Sequence, residues 1–211
     1  MQNVKGDPAF GDAQEKELRR LVEALRGLIE HSVSLNAPAD RLSALAERIE
    51  ALREEIASLS DNRPLAHFRR PENAELNPVL PYSPVTGHFN PISPPLHLRD
   101  EGERIVGDCT FGRAFEGPPD TVHGGWVTAM HDQLLGLCTV VRGMGGPTAT
   151  ITVNLKRPTP LDRKVTVESW IDRVEDRKVW VKGTCTLDGE HLNDSIGLFI
   201  RLKGAPKARN V

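Results

Sequence analysis

The sequence predicts an α+β domain that carries an α-helical extension on its N-terminal side. Apolar residues recur at helical spacing in residues 14–59 and 125–141, whereas apolar and polar residues alternate in four segments after residue 147. Proline recurs between these regions, where neither period persists. The chain therefore divides into a helical extension (1–60), a proline-rich linker or wrap (61–98), the α+β domain (99–205) and a tail (206–211).

Composition and charge exclude several classes of function. The 211 residues suffice for one domain with an appendage, and the formal net charge of -2 favours neither a nucleic-acid partner nor a membrane partner. Residues 1–10 contain no apolar signal core, and no run of about 18 apolar residues occurs. Cys109, Cys138 and Cys185 lack the spacing of a zinc site or a redox motif. We therefore expect a cytoplasmic protein that uses no metal and no cofactor.

The sequence of the extension predicts two amphipathic helices, over residues 14–31 and 38–59. The residues from Asn36 to Pro38 interrupt the helical pattern between them. Pro38 suits a first helical turn, and Asp40 is favourable near a helix N-terminus. Neither helix can bury its apolar stripe alone, so we expect the stripes to pack on each other, on a partner subunit or on another protein, and we favour packing within an oligomer. The stripes are Leu18, Leu21, Val22, Leu25 and Ile29, and Leu42, Leu45, Ile49, Leu52, Ile56 and Leu59.

The sequence of the α+β domain predicts one strand, one long helix and then a meander of four strands. The first strand lies within "ERIVGDCTFGRAF", and the helix covers residues 125–141. Turn signals such as Asp188-Gly189 separate the later strands, which are rich in β-branched residues. These four strands lie within residues 148–158, 164–175, 178–188 and 195–204.

The segment "TVHGGWVTAMHDQLLG", residues 121–136, contains the candidate site. Gly124 and Gly125 lie where a loop becomes a helix, so their N–H groups are among the unpaired donors of the first turn. Asp132 lies about two turns, roughly 10 Å, farther along much the same face. It either faces solvent or has a chemical role, and it is too distant to share one carbonyl with the glycines of its own chain. An antiparallel two-fold could bring the two groups together, so the spacing indicates a dimeric site.

Two motifs, "VHGGWVTAMHD" and "TATITVNLKRPTPL", resemble those of the hot dog-fold acyl-CoA thioesterases of the phenylacetate-pathway type, within the 4-hydroxybenzoyl-CoA thioesterase-like superfamily. The resemblance spans roughly residues 104–203, and it rests on His-Gly-Gly, on the acid nine residues after that histidine, and on the Asn-Leu-Lys-Arg-Pro strand end. It implies a hot dog fold, in which an antiparallel sheet wraps a long central helix. It also implies an acyl-CoA substrate and a homodimer or a dimer of dimers.

The resemblance further implies roles for individual residues. The backbone N–H of Gly125 or Gly124 would polarise the thioester carbonyl, and Asp132 of the opposite subunit would act as general base or nucleophile. The hydroxyl of Thr148 or Thr150 would orient water or the acid. His123 most simply shapes the loop, although a direct catalytic part for it stays open.

Substrate contacts are expected where the third strand of the domain ends and in the proline-rich segment. Asn154, Lys156 and Arg157 are candidates there, and the two cations are either a solvated strand end or ligands of the coenzyme A phosphates. Many relatives carry Asn or Gln shortly before the histidine, where this chain has "EGPPDT", so Asn90 is a candidate replacement. His131 is a second departure, at a position that is usually apolar in relatives.

These features predict an enzyme that hydrolyses acyl-CoA thioesters to free acid and coenzyme A. Two alternatives stay open. One is an acyl thioester hydratase on the same fold, against which the spacing from His-Gly-Gly to the acid argues. The other is a non-catalytic acyl-CoA binding protein, for which the helical extension is the positive hint.

Overall fold

The computed structural model describes residues 11–60 and 74–202. The predicted tail at 206–211 and the prolines at 64 and 71 lie outside these residues. In chain order the helices and strands are α1 (Asp12–Ser32), α2 (Ala39–Leu59), β1 (Leu96–Glu101), β2 (Arg104–Thr110), α3 (Gly124–Val141), β3 (Thr148–Leu155), β4 (Lys164–Glu175), β5 (Lys178–Leu187) and β6 (Glu190–Ile200).

The six strands form one antiparallel sheet in the order β1-β2-β4-β5-β6-β3, and α3 lies against one face of it. Inward side chains alternate along the strands, as Val179 and Val181 do in β5, and they pack with the buried face of α3. A Cβ on Gly197 would lie 3.0 Å from Leu135 Cδ1, so this glycine lets α3 approach the sheet closely. The predicted hot dog fold with N-terminal helices is confirmed.

Two details of the predicted strand arrangement are wrong. The sequence interpretation missed β1, because its polar residues and the prolines before it hide the alternation of buried Leu96 and Leu98. The predicted four-strand meander contains only β4, β5 and β6, since β3 pairs with β6 at the edge of the sheet. Alternation of apolar and polar residues predicts a strand, but it does not indicate which other strand pairs with it in the sheet.

The described part of the proline-rich segment is 74–98; residues 74–95 wrap the domain, and the last three belong to β1. Leu76, Val79, Val85 and Phe89 are buried. Asn77 joins the segment to β1, because its Nδ2 donates to Leu96 O at 2.6 Å and its Oδ1 accepts from Leu98 N at 2.7 Å. The segment also reaches the central helix, where Ser83 Oγ donates to Gln133 Oε1 at 2.8 Å.

The two N-terminal helices have different surroundings. α1 packs on the domain: its Val22 is buried, and the Glu30 carboxylate accepts from the N–H groups of Arg113 and Ala114 at 2.6 and 3.1 Å. By contrast, α2 contains no buried residue. The structure thus brings only the first apolar stripe against the domain of its own chain. No helix within the described ranges combines the length and the apolar composition needed to cross a membrane.

Candidate active site

The two predicted backbone donors in the first turn of α3 differ in their hydrogen bonding. His123 is the N-cap, and its Nδ1 accepts a hydrogen bond from Gly125 N at 3.0 Å. Its carbonyl oxygen accepts from Trp126 N at 2.9 Å. The N–H of Gly124 has no acceptor among the residues that the structure describes. Gly124 therefore offers the donor that a ligand oxygen could use without displacing the histidine ring.

The loop that precedes α3 is held by contacts from several directions. His123 N donates to Phe115 O at 2.9 Å, and Val122 N donates to Thr159 O at 2.8 Å. The Phe115 ring packs edge-on against Trp126, with centroids 5.0 Å apart. This loop places the start of α3 beside the end of β3, where Leu155 Cδ1 lies 3.0 Å from the position of a Cβ on Gly124.

Asp132 is exposed on α3 and accepts a hydrogen bond from Thr148 Oγ at 3.1 Å. Thr148 begins β3, sixteen residues after the acid. The pairing register of β3 shifts between Thr148 and Thr150, and such irregularities redirect side chains. Of the two predicted hydroxyls, the structure brings that of Thr148 onto the acid, whereas Thr150 has no described hydrogen bond to it. Asp132 and Thr148 thus form a polar pair at the edge of the sheet.

His131, the neighbour of the acid, faces the interior instead. Its Nε2 lies 2.6 Å from Asn193 Oδ1 and its Nδ1 lies 2.8 Å from Ser195 Oγ. Asn193 Nδ2 donates to Thr159 Oγ at 3.1 Å, which assigns Oδ1 as the acceptor and places the imidazole proton on Nε2. Burial lowers the pKa of His131, so the ring is neutral in the folded chain at neutral pH. Sequence reasoning missed Asn193 and Ser195, although polar residues at alternate positions before "GLFI" were the available signal.

His131 should make the folded state less stable as the pH falls. Its folded pKa lies below the unfolded value of about 6.5, so the unfolded chain binds the proton first and stability is lost below that pH, by up to about 1.4 kcal/mol per pH unit. Urea unfolding at pH 7.5 and 5.5 would measure this loss. The His131→Gln variant should be less stable at pH 7.5 but should lose less stability on acidification. Equal losses in the variant and the parent would contradict a buried neutral histidine.

The predicted substrate-binding residues at the end of β3 pair with acids of their own chain. Lys156 Nζ lies 2.5 Å from Asp194 Oδ2, and Asn154 Nδ2 donates to Asp194 Oδ1 at 2.7 Å. These two hydrogen bonds lower the pKa of Asp194. Arg157 pairs with Glu190 at 2.6 Å. Because exposed ion pairs contribute little, about 0–1 kcal/mol, an anionic ligand could compete for either cation.

Asn90 is the candidate replacement for a polar residue shortly before His123, and its side-chain hydrogen bonds lie within the proline-rich segment. Its Nδ2 donates to Tyr82 O at 3.1 Å, and its Oδ1 accepts from Ile92 N at 3.2 Å. These bonds hold the side chain inside the wrap rather than on Asp132 or Gly124. Within residues 11–60 and 74–202, no group of three His, Cys, Asp or Glu side chains is arranged to hold a metal ion.

The sequence matches known thioesterases. Residues 120–189 match the family model described as thioesterase superfamily. Acyl-coenzyme A thioesterase THEM4 of Bos taurus is 37% identical over 98 residues, which cover 44% of this chain and 40% of that protein. The Xenopus laevis protein of the same name is 35% identical over 100 residues, 44% of each chain. The matches thus span less than half the length of these relatives.

The fold matches a solved structure over most of both chains. A thioesterase superfamily protein named RHA08564 superposes with a TM-score of 0.77 and 24% identity, and the match covers 87% of this chain and 90% of that one. This similarity includes residues outside the family-model match and shows that the two chains share a fold. The resemblance predicted from "VHGGWVTAMHD" and the strand that follows is confirmed.

Proposed function

We propose that this chain hydrolyses acyl-CoA thioesters to free acid and coenzyme A. A backbone N–H at the Gly124-Gly125 helix start would polarise the carbonyl, and Asp132 of a second copy would act as general base or nucleophile. The observation that carries this proposal is that α3 holds both an exposed acid, Asp132, which accepts from Thr148 of β3, and a first N–H, that of Gly124, which is unpaired among the described residues.

The start of α3 suits the charge that develops in this reaction. Attack on a thioester places negative charge on the carbonyl oxygen, and a fixed N–H at a positively polarised helix N-terminus stabilises that charge. The Gly124 N–H can donate to that oxygen directly, whereas a ligand oxygen at the Gly125 N–H would first have to replace His123 Nδ1 as the acceptor. We therefore favour Gly124 as the first donor, with His123 as the residue that orders the turn.

Asp132 supports either of two chemical routes. As a general base it would take a proton from the water that attacks the thioester carbon, which expels coenzyme A as the thiolate. As a nucleophile it would form a mixed anhydride and expel the thiolate, and water would then cleave the anhydride. The Thr148 hydroxyl occupies Oδ1, and in the described chain Oδ2 has no hydrogen-bond partner. Either route can use that oxygen.

Two copies are needed because one chain cannot place both groups on one carbonyl. Gly124 and Asp132 are eight residues apart on α3, or about 12 Å. β3 is an exposed edge strand that runs from Thr148, beside Asp132, to Leu155, beside Gly124. Antiparallel pairing of two such edges would bring Thr148 of one copy near Leu155 of the other. The Gly124 N–H would then face Asp132 of the second copy.

We extend the proposal to substrate, assembly and location. Asn154, Lys156 and Arg157 lie at the Gly124 end of β3, where the cations could exchange their surface partners for coenzyme A phosphates. The shared site requires a homodimer, or a dimer of such dimers. Cys109, Cys138 and Cys185 are buried free thiols, which suits the reducing conditions of the cytoplasm.

A panel of acyl-CoA esters tests the function. We expect catalytic release of free thiol from at least one aliphatic or aromatic ester, monitored with a chromogenic thiol reagent. The three native cysteines are buried and should contribute little background in the folded protein. Tight binding of the esters without turnover would contradict the proposal and favour a binding protein. Hydration of an enoyl-CoA without thiol release would instead favour a hydratase.

A further inference from the structure

The exposed apolar stripe of α2 continues along the whole helix. Ile49 is 52% exposed and Leu59 is 81% exposed, and no residue of the helix is buried. A helix of 21 residues is about 31 Å long and would leave a continuous apolar seam in water. The seam consists of Leu42, Leu45, Ile49, Leu52, Ile56 and Leu59.

The spacing of the seam is that of a coiled coil. Successive members are separated by three, four, three, four and three residues, which is the a/d pattern of the heptad repeat. Leu42, Ile49 and Ile56 occupy a positions, and d positions hold leucine throughout. An a/d seam is narrower than the face of a helix that packs on a globular core, so it fits another helix of the same kind.

We propose that α2 forms a two-stranded, antiparallel coiled coil with α2 of a second copy of this chain. When the helices run in opposite directions about the middle of the seam, the six layers match one to one. Leu42 meets Leu59 of the other copy, Leu45 meets Ile56, and Ile49 meets Leu52. No apolar layer is left without an opposite member.

The charges that flank the seam select the antiparallel direction. Arg41, Arg48 and Glu55 occupy g positions and Arg53 an e position, and Arg41 meets no charged residue in either direction. A parallel pair would place Arg48 against Arg53 of the other helix, at both symmetry-related sites, whereas the antiparallel pair places Arg48 against Glu55 at both sites. Arg48 and Glu55 have no ion-pair partner within the described residues of their own chain, so both are available. This complementarity identifies a second copy as the occupant of the seam.

The inference does not depend on the proposed function. No residue of α2 is buried, whereas α1 packs on the domain through Val22 and Glu30. The coiled coil is therefore a contact between copies separate from the edge of β3. It would strengthen one dimer or join two dimers.

Cysteine pairs in the full-length protein test the direction and the register. One tagged chain carries Leu42→Cys and a differently tagged chain carries Leu59→Cys. After subunit exchange and mild oxidation, we expect a disulfide between the two tags, because the antiparallel layers place these positions together. A parallel pair would separate them by about 25 Å along the axis. The native cysteines are buried and should not compete.

Ser43→Cys mixed with Ser58→Cys is the matched control, because these positions have the same axial relationship but lie on the outer face. They should give little disulfide. Charge reversal gives a second measurement. At limiting protein concentration, Arg48→Glu should lower the disulfide yield of the Leu42→Cys and Leu59→Cys pair about tenfold, and Glu55→Arg should lower it equally. The double variant, with both charges reversed, should restore the yield. Glu54→Arg, on the outer face, should leave it unchanged. A yield no higher than that of the serine pair, or a gain with Arg48→Glu, would overturn the proposal.

Discussion

Replacing Asp132 with asparagine should reduce acyl-CoA hydrolysis by at least about 100-fold, because an amide can neither take a proton from water nor form a mixed anhydride. The fold should survive, since the side chain is exposed and the amide oxygen can still accept from the Thr148 hydroxyl. The measurement is kcat by thiol release, together with the thermal midpoint and the mass in solution.

Asp176→Asn serves as the matched control for this change. Asp176 is an exposed aspartate with a positive φ of 52° in the turn after β4, a conformation that asparagine adopts equally well. Its variant should keep the parental rate. If Asp132→Asn also stayed within a few-fold of the parent, the catalytic role of Asp132 would be ruled out.

Replacing Gly124 with proline should also cost at least about 100-fold in kcat, because it deletes the one N–H proposed to stabilise the oxyanion. Proline is well tolerated at the first position of a helix, and His123, at φ −58° and ψ 129°, already has the conformation that a residue before proline requires. The start of α3 should therefore be preserved. Circular dichroism and the thermal midpoint would verify this.

Gly124→Ala controls for the added side chain, because it brings the same Cβ within 3.0 Å of Leu155 Cδ1 but keeps the N–H. It should retain far more activity than the proline variant, and equal losses in the two would contradict a role for the N–H. Mixing Gly124→Pro with Asp132→Asn should restore about a quarter of the parental activity, since half of the subunits pair into heterodimers with one intact site. No recovery after verified subunit exchange would contradict a site shared between copies.

Much of the candidate site could be predicted from the sequence because its elements are local. The helical period placed α3 within one residue of its observed start, and the motif around His123 made the glycines and the acid candidates. The choice between Thr148 and Thr150 was not predictable, because a register shift in β3 decides which hydroxyl reaches Asp132. The hydrogen bond from Gly125 N to His123 Nδ1 was not predictable either, since it depends on the rotamer of His123.

The sequence by itself determined the helices, most of the strands and the position of the candidate site along the chain, because periodicity and capping act between residues a few positions apart. Only the tertiary structure decided which strands are neighbours, since an alternating pattern leaves the partner of β3 open. It also decided that His131 is buried while Asp132 is exposed, because Asn193 and Ser195, more than sixty residues away, supply the hydrogen bonds that make burial of the imidazole tolerable. Contacts over such distances depend on how the helix packs on the sheet, and no local pattern encodes them.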